Sequence, residues 1–145
     1  MKILLSFTNS VSNTDNSQDG GFSALAKSPE MRKQFAQDCK AFVSSEGIDG
    51  IDIDWEFPGM TFGSNAYDEL VDVENFTLLM KDLRAALGSP PYWPMQVIAW
   101  TSVPQGEGYK YIDVKAVDPY VNFVNIMAYD LVDAPPASIS IEQAK

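Results

Sequence analysis

Asp49-Gly50-Ile51-Asp52-Ile53-Asp54-Trp55-Glu56 sets acids at every second position from Asp52 to Glu56, within the first half of this 145-residue chain. Side chains of a β-strand alternate between its two faces. Read as part of a strand over Ile48 to Phe57, the stretch puts Asp52, Asp54 and Glu56 on one face and Ile51, Ile53 and Trp55 on the other. Successive acids then stand roughly 6.5–7 Å apart at their Cα atoms. An unpaired buried carboxylate is costly, and like charges repel. A sequence that keeps three acids in line is expected to use them. Two blander readings exist. The acids could form a solvated strand face, or they could offer hard oxygen ligands to a divalent cation. The Ca²⁺-loop pattern fails, because the glycine it requires is absent.

Clustered carboxylates split their pKa values, so that one donates a proton near neutral pH while another stays ionised. Cleavage of a glycoside uses such an acid, together with a group that stabilises the developing oxocarbenium ion. The acid is expected nearest the C-terminal end of its strand, where parallel-sheet enzymes place their chemistry. That position is Glu56.

Outward from this strand, apolar runs and breakers alternate. Lys2 to Phe7 is an apolar run read as a strand, and Asn9 to Gly21 has loop composition. Ser28-Pro29-Glu30 opens a helix with an N-cap, a proline at the first helical position and an acid in the first turn. Met31, Phe35, Ala36, Cys39, Phe42 and Val43 give it an apolar face, and Gly47 closes it. A second helix runs from Val73 to Leu87, with Phe76, Leu79, Met80, Leu83 and Leu87 on one side. Strands are predicted at Met95 to Val103 and Val121 to Tyr129, with a short helix within Tyr111 to Val117 and the start of another at Ser138 to Lys145. The order β-α-β-α-β-α-β predicts parallel strands and an α/β fold with right-handed crossovers.

Composition narrows the chemistry. Twenty Asp and Glu against ten Lys and Arg leave a net charge of −10, which disfavours nucleic acid and anionic membrane surfaces as partners. The absence of His excludes a Ser-His-Asp triad and a Cys-His pair, and leaves acid–base work to carboxylates, Tyr or Lys. Cys39 alone forms no internal disulfide. No apolar stretch approaches the 18 residues of a membrane span. Met1-Lys2-Ile3-Leu4-Leu5 begins like a signal peptide, but its apolar run is short and polar residues from Thr8 to Asp19 follow, so a buried strand is expected instead.

The acid strand resembles a known family. Asp49 to Glu56 is similar to the D-x-x-D-x-D-x-E signature of family 18 glycoside hydrolases, the chitinase-like (β/α)8 barrels, and Trp55-Glu56-Phe57-Pro58-Gly59 to its W-E-[YF]-P continuation. Asp72-Val73-Glu74-Asn75-Phe76 looks like the opening of the next helix, and Met127-Ala128-Tyr129-Asp130 like the M-x-Y-D motif of the sixth strand. The resemblance implies a partial TIM barrel, roughly strands three to six, acting on chitin or related N-acetylglucosamine oligosaccharides without metal or cofactor. By position it implies Glu56 as the general acid, Asp54 as the residue orienting the substrate's acetamido group, and Asp52 as the acid sharing a proton with Asp54. It places Met127 near the −1 sugar, Tyr129 and Asp130 on the acetamido group, and Ser6 at the end of the family's third strand. Trp55, Phe57, Phe62 and Tyr67 are candidates for core or for sugar stacking, with Trp55 counted among the substrate-binding residues. Asp49, off the acid face, is expected to be structural.

Some features depart from the family. Ser6-Phe7-Thr8-Asn9 lacks both glycines of the S-x-G-G pattern, and Leu131-Val132-Asp133 differs from the usual F-H-G. A complete barrel needs about 250 residues, so residues 1–145 are expected to be an incomplete catalytic domain. An endo-β-N-acetylglucosaminidase acting on N-glycans, a chitin-binding lectin and an inactive remnant are the alternatives. Lectins on this barrel typically lack the acid at the position of Glu56. The resemblance also implies an extracellular protein, although the chain shows no signal peptide; it says nothing about oligomeric state.

Overall fold

The computed structural model describes residues 1–8, 21–60, 67–88, 97–102 and 112–127. Four strands form one parallel sheet in sequential order: β1 (Leu4–Thr8), β2 (Gly50–Asp54), β3 (Val97–Ser102) and β4 (Phe123–Ile126). Ser6 pairs with Asp52, Asp52 with Ala99, and Ala99 with Phe123. β2 is shorter than the strand predicted over Ile48 to Phe57. The strand carrying the acids stops at Asp54, so Glu56 lies beyond the ladder.

Helices α2 (Pro29–Glu46) and α3 (Asp72–Leu87) pack against one face of this sheet. The predicted caps of α2 are present. Ser28 is extended and its hydroxyl accepts from the Met31 amide, and Gly47 closes the helix at φ 64°. The face of α2 is rotated from the expected one. Arg32, Ala36, Cys39 and Val43 are buried, whereas Met31 and Phe42 are 50% and 43% exposed. The reason is polar as much as apolar. The Arg32 guanidinium donates to Asp82 on α3 at 2.9 Å and to the Ala26 carbonyl, and that pairing holds Arg32 on the buried face. The stripe of α3 is buried as predicted, from Phe76 through Leu87.

A further helix, α1 (Gly21–Lys27), was not anticipated. Seven residues are too few for a helix to hold by propensity alone. It forms because Phe22 and Ala26 are buried against the core, with the Phe22 ring stacked on Trp55 at 5.6 Å. The last described elements are α4 (Val114–Val117), capped by Asp113, and a 3₁₀ turn at Asp118–Tyr120 that leads into β4. Arg84 on α3 secures this entry. Its guanidinium donates to the Tyr120 carbonyl at 2.8 Å and to Asn122 Oδ1 at 2.6 Å, and the same Asn122 oxygen accepts the Ile98 amide. Asn75, the glycan acceptor of an Asn75-Phe76-Thr77 sequon, is buried in α3. The expected helix at Ser138 to Lys145 lies outside the described residues.

The core is the seam between Ile51, Ile53 and Trp55 of the acid strand and Phe76, Leu79, Met80 and Leu83 of α3, all at most 1% exposed. Burying one such side chain contributes about 1.5–3 kcal/mol. Leu83→Ala is expected to lower unfolding free energy by about 2–5 kcal/mol in a denaturant titration. Met31→Ala, on the exposed side of α2, is expected to change it by less than about 0.5 kcal/mol.

Candidate active site

The site is built on the sheet face opposite the helices, at the C-terminal end of β2. Asp52 is 5% exposed and held by its neighbours on both sides. Ser6 on β1 donates its hydroxyl to Oδ2 at 2.7 Å, and Asn125 on β4 donates its amide to Oδ1 at 3.1 Å. Three strands thus fix one carboxylate. Ser6, a candidate for touching substrate, spends its hydroxyl on Asp52. Asn125 was not singled out from sequence, although alternation places it on the same strand face as Met127.

Asp54 is half-buried, and its Oδ1 has no hydrogen-bond partner among the described residues. Burial, then the charges of Glu56 and Asp52, pushes its carboxyl from 3.8 up to about 6. Glu56 stands two residues past the end of β2, partly buried, and burial raises its carboxyl above the usual range. The Glu56–Phe57 peptide bond is cis. Asp49, at the opposite end of the strand, accepts from Lys2 at 2.7 Å and from the Ile3 amide at 2.9 Å, which lowers its pKa. It joins β1 to β2 and takes no part in the site, as expected.

The structure corrects the assignment of Trp55. Its ring is 1% exposed, stacked on Phe22 and edge-on to Phe76 at 6.0 Å. It points to the helix side, as alternation with Asp54 demands, and cannot stack on a sugar. Phe57 is likewise buried, and Tyr67 is exposed. Met127 is partly buried just beyond β4. Tyr129, Asp130 and Phe62 lie outside the described residues. Among the described residues no group of three or more acids or Cys is arranged to hold a metal ion, and no helix is long and apolar enough to cross a membrane.

The parallel sheet thus carries in succession a fixed Asp, an Asp with one oxygen unpartnered among the described residues, and a partly buried Glu. The model of Glycosyl hydrolases family 18 matches residues 1–142. The chain belongs to this family. It is 30% identical over 115 residues to Probable chitinase 2 of Drosophila melanogaster, covering 79% of this chain and 22% of that protein. Among solved structures, a glycoside hydrolase family 18 N-acetylglucosaminidase from Paenibacillus barengoltzii matches with a TM-score of 0.75 at 27% identity, over 90% of this chain and 37% of that one. Chitinase ChiA74 from Bacillus thuringiensis matches with a TM-score of 0.68 at 32% identity, over 75% of this chain and 18% of that one. The family 18 chain therefore spans a minor part of these relatives' length, and its α/β sheet is a partial TIM (β/α)8 barrel.

The raised Asp54 carboxyl has a measurable consequence. Between 3.8 and about 6 Asp54 binds more protons in the folded chain than in the unfolded one, so its contribution to stability falls as pH rises through that window. Glu56, raised in the same direction, adds to the slope. Asp54→Asn is expected to flatten the fall, read from urea midpoints at about pH 4 and about pH 6.5. An unchanged slope would show that Asp54 titrates normally.

Proposed function

We propose that residues 1–145 carry the acid machinery of a glycoside hydrolase that cleaves β-1,4-linked N-acetylglucosamine in chitin or its oligosaccharides. The single observation that carries the reading is the graded environment of three successive acids. Asp52 is pinned by Ser6 and Asn125, Asp54 has an oxygen with no partner among the described residues, and Glu56 has a raised pKa. A general acid must hold its proton near the working pH, and burial of Glu56 favours that.

In this reading Glu56 protonates the glycosidic oxygen as the bond to the anomeric carbon breaks. The substrate's own acetamido oxygen attacks that carbon, giving an oxazolinium intermediate. Family 18 belongs to the substrate-assisted exceptions to the two-carboxylate scheme. Asp54 orients the acetamido N–H and stabilises the positive charge that develops beside it, while Asp52 is available to share the Asp54 proton. Water, deprotonated by Glu56, then opens the intermediate with net retention. Met127, Tyr129 and Asp130 complete the acetamido subsite. No metal or cofactor enters these steps. The short share of its relatives that the chain covers supports treating residues 1–145 as an incomplete catalytic domain. Exposed Phe123, Val124 and Ile126 on β4 support it too. An extracellular location follows the family resemblance.

The test is hydrolysis of a chromogenic chitobioside by residues 1–142 fused into a complete barrel with the remaining strands of a family 18 relative. Glu56→Gln should lower turnover by about 10²–10⁴-fold. Equal turnover with and without the substitution would remove Glu56 from its role.

A further inference from the structure

Asp72 is a carboxylate that the proposed chemistry does not use, yet it is 0% exposed. A buried carboxylate persists only where hydrogen bonds replace its water. Here three segments supply them. Ser23 of α1 donates its hydroxyl to Oδ1 at 2.8 Å. The backbone amides of Asp68 and Gly59 donate to Oδ2 at 2.7 and 3.2 Å. As the first residue of α3, Asp72 also sits at the positive end of the helix dipole.

The Gly59 bond bears on the site. The ladder of β2 ends at Asp54, two residues short of Glu56. The residues that flank Glu56 bear on where it stands. On one side is Trp55, locked in the core. On the other is a tight turn in which the Met60 amide donates to the Phe57 carbonyl at 3.3 Å. Phe57 and Pro58 in that turn are buried, and Gly59 adopts φ 75°, which disfavours any side chain. The turn is tied to the rest of the molecule by Asp72. We propose that Asp72 is a positioning residue for Glu56: it anchors the Phe57–Met60 turn through the Gly59 amide and so sets where the Glu56 carboxyl stands. The inference rests on the proposed role of Glu56 and adds the residue that aims it.

The test uses the 145-residue chain, with the ¹³C signal of the Glu56 carboxyl and the exchange rate of the Gly59 amide read by NMR. Asp72→Asn keeps the shape but removes the charge, so the bonds from the Gly59 and Asp68 amides lose their charge assistance. It is expected to speed Gly59 exchange by about tenfold or more and to move the Glu56 signal with it. Ser23→Ala, which loses only the bond to Oδ1, is expected to leave both unchanged. Should Asp72→Asn fail to fold, Asp72→Glu carries the test, because it keeps the charge and shifts the anchor by one methylene. Movement of the Glu56 signal together with loss of Gly59 protection supports the proposal. A folded variant with an unprotected Gly59 amide and an unmoved Glu56 signal overturns it and leaves Asp72 a purely structural acid. In the fused barrel the same variant should lower kcat while KM holds. Failure of the acid role itself would appear elsewhere, as equal turnover by Glu56→Gln, and would leave these spectra unchanged.

Discussion

Strand β2 is covered on both faces, and its two faces demand opposite chemistry. On the helix side Ile51, Ile53 and Trp55 are excluded from water and fill the seam against α3. On the other side Asp52 is excluded from water as well, and must find hydrogen bonds there. Ser6 and Asn125 provide them from the strand on the left and from a strand two places to the right. Because a one-residue slip would exchange the two faces, this single strand sets the register of the sheet.

That constraint also grades the acids. Asp52, deepest along the strand, has both oxygens engaged. Asp54, one step nearer the C-terminal end, loses solvent without gaining a partner among the described residues, and its pKa climbs to about 6. Glu56 lies beyond the ladder, partly buried, and burial raises its carboxyl. Three residues of one chemical class thus acquire three different environments because the strand carries them progressively out of the sheet. The separation between the acids comes from depth and not from composition.

Much of this was legible in the chain. The spacing Phe76, Leu79, Met80, Leu83, Leu87 marked the buried stripe of α3, and Ser28, Pro29 and Gly47 marked both ends of α2. Periodicity failed where a polar contact overrode it. Of the six apolar positions read as the inner side of α2, Ala36, Cys39 and Val43 are buried and Phe35 packs on the core, but Met31 and Phe42 are exposed, and the buried Arg32, paired with Asp82, is a contact that no hydrophobic count registers. It failed again at α1, whose seven residues carry little pattern and exist for the sake of the Trp55 ring. Trp55 was assigned to substrate by its place in a motif, although alternation alone already turned it towards the helices.

By itself the sequence determined a parallel α/β sheet, the strand that bears the acids, the alternation of its faces and the family to which it belongs. Such features are local, repeating every two or three to four residues, and local periods survive in one dimension. Only the tertiary structure decided that Ser6 and Asn125, remote in the chain, both hold Asp52. It also decided that Glu56 stands outside the ladder and that Asp72 gathers Ser23, Asp68 and Gly59 around one buried charge. A hydrogen bond between distant residues leaves no period behind. It comes into being only when the folded chain brings donor and acceptor within reach and removes the water that would otherwise serve both.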